Sequence, residues 1–206
     1  MANIRIKNHW FRDGAAKTPE QNASAMAFIT WRVAQNTLKQ MRSAHFDIEV
    51  GETYFAFTRE VLVFLIQVID RLASQRMDLD TRRAFITALV LRVADVLQDN
   101  ADELLGVPPP GQPSHAEQFI DQFNALAEDY AEFGFVGQEP DFAFTRYLGH
   151  RISELMSEKD RRWALDQIMA CEVPDALAMI RRGLDGVLET EPRSARRGAR
   201  SAVSGD

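Results

Sequence analysis

The sequence predicts an all-α protein, a bundle of six to seven helices, and three observations carry that prediction. Apolar residues recur at spacings of three and four along most of the chain, as they do on helices with one buried face. No stretch alternates apolar and polar residues in the manner of a half-buried strand. Helix-start signals, two capping boxes among them, stand where the periodic stretches begin.

The elements follow in order. Residues 1–17 form an arm whose Ile4, Ile6, Trp10 and Phe11 are apolar enough to dock on the body. Thr18-Pro19-Glu20-Gln21 opens the first helix, with Thr18 as N-cap, Pro19 at the first helical position and Gln21 closing a capping box. Ala27, Trp31, Ala34, Leu38 and Met41 give it one apolar stripe, ending near Ser43. His45–Gly51 reads as a loop with Phe46 and Ile48 turned inward.

The second helix is the centre of the prediction. Tyr54–Leu72, continuing to about Arg76, carries Phe57, Val61, Leu62, Phe64, Leu65, Val68, Ile69 and Leu72 over more than half of its circumference. Arg59, Glu60, Gln67, Asp70, Arg71 and Ser74 share the remaining polar stripe. A helix so apolar is expected to pack on several neighbours.

Asp78 or Asp80 caps the third helix, whose Phe85, Ala88, Leu89, Val93, Val96 and Leu97 form a buried face. It is expected to end in the acidic Asp99–Glu103 stretch, with Gly106 as the stop. The Pro-rich linker Val107–Pro113 cannot continue a helix. Ser114 and Glu117 form a second capping box before a helix bearing Phe119, Phe123, Leu126, Tyr130 and Phe133. Gly134, Gly137 and Pro140 break the chain before a fifth helix, Asp141 to Ser157. Ser157 and Asp160 start a sixth, which Pro174 ends or kinks, and Asp175–Leu188 is a last piece weakened by Gly183 and Gly186. The tail, 190–206, is expected to be disordered and basic. The domain reading is thus an arm (1–17), a three-helix unit (18–106), a linker (107–113), a second helical unit (114–189) and the tail, within one compact domain.

Composition narrows the chemistry. The chain is 46% hydrophobic and 26% charged, ordinary for a globular protein. Net charge is −6, and the four arginines of the tail leave the remainder more acidic still, so nucleic acid is not expected as a partner of the folded body. The longest apolar run, Val61–Ile66, is too short to span a bilayer. No secretory signal is visible, and Cys171 is the sole cysteine, so a cytoplasmic location is expected. Cys171 itself, beside Ile168, Met169 and Ala170, reads as a small core residue.

An internal likeness supplies the candidate site. With an offset of 87, Phe46–Arg59 matches Phe133–Arg146 at seven of fourteen positions: the two phenylalanines, Glu52 with Glu139, and the pentapeptide FAFTR at Phe55–Arg59 and Phe142–Arg146. Beyond it, the third and sixth helices share only an Arg-Arg pair, Arg82-Arg83 and Arg161-Arg162. The reading is two three-helix repeats packed about a pseudo-twofold axis; coincidence in a helix-rich chain is the other. Thr58 and Thr145 should satisfy their hydroxyls on carbonyls four residues back. Arg59 and Arg146, each seven residues after a Glu, either tie loop to helix or line a shared groove for an anion. The candidate polar site is therefore Glu52, Arg59, Glu139 and Arg146, and the candidate pocket lining is Phe55, Phe57, Phe142 and Phe144.

Other chemistries find no motif. The residues three positions before the four histidines are Ile6, Arg42, Gln112 and Tyr147, so the Glu-x-x-His pairs of di-iron bundles are absent. No Gly-rich phosphate loop, nucleophile elbow or HExxH helix occurs. His150 with Glu154, and His45 with Glu49, are at i,i+4 and read as exposed pairs rather than metal ligands. Trp31 and Trp163 read as core or interface anchors. No cofactor, metal or catalytic residue is assigned. The first expectation is a non-enzymatic interaction or adaptor module, a homodimer or partner of another protein. The alternative is a small-molecule binder with an aromatic pocket and paired arginines for an acidic ligand. An enzyme whose site lacks a recognisable motif is the third.

Overall fold

A computed structural model describes residues 17–188; the arm before Lys17 and the basic tail lie outside the described residues. The elements are α1 (Pro19–Ser43), α2 (Glu52–Ala73), α3 (Leu79–Leu105), α4 (His115–Ala131), β1 (Phe135–Val136), β2 (Glu139–Pro140), α5 (Phe142–Leu155), α6 (Glu158–Gln167), a π-helical turn (Ile168–Glu172) and α7 (Val173–Leu188). The protein is an all-α bundle.

The helix starts form for the reasons written in the sequence. Thr18 and Gln21 close one capping box, and Ser114 and Glu117 close the other. Asp78 accepts from the backbone N–H groups of Asp80 and Thr81 and so caps α3. Each cap supplies acceptors to amides that have no partner inside the helix. At the other end of α3, Gly106 takes φ +86°, a conformation open to glycine at no steric cost. The helix runs on through the acidic Asp99–Glu103 stretch to Leu105 before stopping.

α2 is the centre, and 14 of its 22 residues are buried. It contacts α1, α3, α4, α5 and α7, which is why apolar residues surround it. Each such side chain contributes about 1.5–3 kcal/mol on full burial. α5 runs antiparallel to α2, since Glu60 meets Arg151 while Phe64 meets Phe144. α7 runs antiparallel to α1, pairing Gln40 with Asp175 and Ile29 with Gly183. Gly183 permits that approach, because a Cβ there would lie 2.8 Å from Ile29 Cγ2. One continuous core includes residues from all seven helices.

The two halves pack differently. α1 packs extensively on α3 and also on α2, whereas α4, its counterpart in the sequence register, packs on α3 and α2 and meets α5 through the side chains of Asp129 and Tyr130. The off-stripe apolar residues Met26 and Val33 are buried, which lets α1 serve several neighbours at once.

Four local expectations are corrected. A small hairpin, Phe135 paired with Pro140 and Val136 with Glu139, stands where no strand was expected, because two-residue strands are too short to show alternation. Pro174 does not end the helical run, which continues from α6 through the π turn into α7. The preceding turn widens, with Val173 N–H donating to Ile168 O five residues back, which accommodates a ring that would crowd an α-helical carbonyl. Ser157 precedes α6 but makes no side-chain cap; Asp160 Oδ2 instead accepts from Asp47 N–H at 2.9 Å. Cys171 is exposed rather than in the core, since the π turn rotates it outward while burying Glu172. No helix among the described residues is long and apolar enough to cross a membrane.

Candidate functional site

The two FAFTR copies do not build a shared site. Phe55 and Phe57 are fully buried, as is Phe144, but Phe142 is 70% exposed. The difference follows from helix register. FAFTR begins at the fourth residue of α2 but at the first residue of α5, so equivalent letters face different surroundings. Phe144 packs edge-on against Phe64 at 5.6 Å and against Tyr130 at 4.8 Å. Phe55 instead meets Tyr54 at 5.0 Å.

The polar residues separate likewise. Thr58 and Thr145 do donate to the carbonyls of Tyr54 and Asp141, at 2.8 and 3.3 Å. Arg59 is half-buried beside Glu52 and Glu60, and burial pulls its guanidinium below the ordinary value. Arg146 is exposed. Glu139 pairs with Arg181 of α7, whose Nε also donates to Gln138 O at 3.1 Å, and not with Arg146. Because α2 and α5 run antiparallel, their FAFTR arginines sit at different levels of the bundle.

The buried polar centre is one residue further on. Glu60 has only 5% of its side chain exposed and receives a bidentate fork from Arg151, with Nε to Oε2 at 3.1 Å. Gln122 Nε2 donates to Glu60 Oε1 at 2.7 Å. Nearby, the Tyr147 hydroxyl donates to Asp129 at 2.5 Å, and burial with that bond pushes its pKa up to about 12. The Tyr130 hydroxyl is buried with no hydrogen-bond partner, and desolvation holds it well above its usual value. This node joins α2, α4 and α5. Reading Glu60 as one of a polar stripe missed it, because a solvated Glu and a buried, paired Glu look alike on a helical wheel.

A groove lies between α2, α3 and α4. Its volume is about 470 Å³, within the range of small-molecule pockets. Each helix contributes one face at helical spacing: Gln67, Asp70 and Arg71; Leu79, Arg82, Arg83, Ile86 and Thr87; Phe123, Ala127 and Ala131. Ile86, Phe123 and Ala127 supply an apolar floor, and three arginines stand against one aspartate. Arg82 forks onto Asp70, Nε to Oδ1 at 2.7 Å, which raises its pKa further. Arg71 donates to the carbonyls of Tyr130 and Ala131 at 3.2 and 3.3 Å, complementing the negative end of α4. Arg83 is exposed and has no ion pair or hydrogen bond among the described residues. The sequence signal was the Arg82-Arg83 pair, seen only as a remnant of the repeat.

Among the described residues no group of three or more His, Cys, Asp or Glu is placed to hold a metal ion. His150 and Glu154 form the expected exposed pair at 3.5 Å. The chain matches no protein family, no curated protein and no solved structure.

Proposed function

We propose that the protein binds a small amphiphilic anion in the groove between α2, α3 and α4, without catalysing a reaction on it. The observation that carries the reading is Arg83, a guanidinium without an ion pair or hydrogen bond among the described residues, at the rim of an apolar-floored groove whose other two arginines are held in place by protein contacts. A guanidinium in that setting suits a carboxylate or sulfonate, and Phe123, Ile86 and Ala127 suit an apolar tail. The acidic ligand foreseen from the paired FAFTR arginines is thus reassigned to different residues.

The test is a fluorescence titration with 8-anilinonaphthalene-1-sulfonate, an aromatic anion. Saturable binding to the wild type, displaced by octanoate and not by octylamine, supports the reading. Arg83→Glu should weaken it at least tenfold, since a hydrogen bond to a charged group contributes about 1.5–3 kcal/mol. Equal binding by both proteins sinks it.

A second reading has its own observation. Phe28, Phe142 and Trp163 are 62%, 70% and 67% exposed, and aromatic side chains anchor protein interfaces. It makes the chain a non-enzymatic adaptor, acting as a homodimer or with another protein. Sedimentation that shows a dimer for the wild type and a monomer for Trp163→Ala favours it. A cytoplasmic setting belongs to either reading, as the exposed, unpaired Cys171 suits a reducing compartment. A duplicated origin for the two helical segments rests on their seven shared positions.

A further inference from the structure

A second cavity, at the far end of α2, has a different chemistry. Gln35, Leu38, Lys39, Arg42 and Ser43 of α1 and Tyr54 of α2 line a space of about 520 Å³, and no carboxylate is among them. Arg42 donates through Nε and a terminal nitrogen to Ile48 O, at 2.9 and 2.5 Å, and its guanidinium lies over the Tyr54 ring, 5.6 Å from the centroid. It is therefore fixed in place, yet no carboxylate among the described residues neutralises it. Lys39, one turn earlier, has no ion pair among the described residues either. Asp47, an acid of the adjoining loop, is already engaged by Lys159 at 3.6 Å. The Tyr54 hydroxyl donates to Gln35 Oε1, which leaves Gln35 Nε2 buried without an acceptor.

We propose that this cavity is a separate binding site for a phosphate-type oxyanion. Arg42 gives Nε–H and one terminal N–H to Ile48 O, which fixes the plane of its guanidinium and leaves three of its five N–H groups for a ligand. Lys39, one turn earlier on the same helix, adds a second positive charge to the lining. A doubly charged tetrahedral anion uses both at once. Leu38 is the single aliphatic lining residue, and the Tyr54 ring with polar and charged side chains supplies the rest. The ligand is thus a compact phosphate group, free or carried by a small molecule.

The experiment is calorimetric titration of the full chain with inorganic phosphate and with pyrophosphate, in chloride buffer at constant ionic strength. Lys39→Ala removes an exposed side chain that has no ion partner among the described residues, so folding is expected to be unchanged, and circular dichroism checks that it is. The expected result is saturable binding to the wild type, at least tenfold weaker in Lys39→Ala and recovered in Lys39→Arg. Arg83→Glu, in the other groove, should bind phosphate as the wild type does. Absence of binding of either probe at millimolar concentration overturns the proposal. Equal binding by the wild type and Lys39→Ala does so as well.

Discussion

The same five letters, FAFTR, lie in α2 and in α5 and lead different lives. In α2 they follow one turn of helix, with Gly51 at the N-cap offering no side chain, and every ring is interior. In α5 they are themselves the first turn, started by Asp141, whose Oδ1 accepts from Phe144 N–H at 2.8 Å. One turn of offset turns the first phenylalanine from core to solvent while keeping the third residue buried in both. Local identity set the shared Thr back-bond. What each side chain touches was decided by the neighbours.

The largest test of that contrast is to truncate the first ring of each copy. Phe55→Ala should cost about 3–5 kcal/mol in chemical denaturation, as large core deletions do. Phe142→Ala should stay within about 0.5 kcal/mol, like other surface changes. Similar costs would show that the two copies share an environment after all.

The residue following each copy, Glu60 or Tyr147, sharpens the comparison next. Arg151→Ala strands the carboxylate of Glu60 in the interior and should cost about 3–5 kcal/mol. Glu60→Ala leaves Arg151 about a third exposed and able to turn to water, and should cost less, about 1–3 kcal/mol. Equal losses would contradict the asymmetry of burial. Smaller again is the cap: Asp141→Ala should lower stability by about 1 kcal/mol and fray the start of α5 in amide exchange, with α2 unaffected.

The smallest effect is expected outside the two copies, at the π turn. Burial raises the Glu172 carboxyl above its ordinary 4.5. Below that pH the group is protonated both folded and unfolded and exerts no bias. As pH rises through 4.5 the unfolded chain releases the proton first, so the folded state loses stability until its own higher value is passed. Glu172→Gln should therefore raise Tm slightly at pH 7, with the gain vanishing below pH 4. A gain that persists at pH 3 would trace to some other cause.

Much of the fold was legible because it rests on local rules. The capping boxes at Thr18 and Ser114, the Asp78 cap, the linker and the central place of α2 are written in spacing and cap chemistry. The site was not, since it depends on which helices meet. Arg71, Arg82 and Arg83 converge only because α2 and α3 fold into a hairpin beside α4, and Arg151 finds Glu60 across 91 positions of chain. The widened turn before Pro174 was equally hidden, because a proline signals the loss of one hydrogen bond without saying how the backbone absorbs it.

The central claim, that the α2–α3–α4 groove holds a small amphiphilic anion, is tested most directly by amide chemical shifts of the isotopically labelled protein titrated with octanoate. The account predicts saturable shifts centred on Arg71, Arg82, Arg83, Ile86, Thr87, Phe123 and Ala127, and their loss in Arg83→Glu. Shifts that cluster elsewhere, or none at millimolar octanoate, would contradict it.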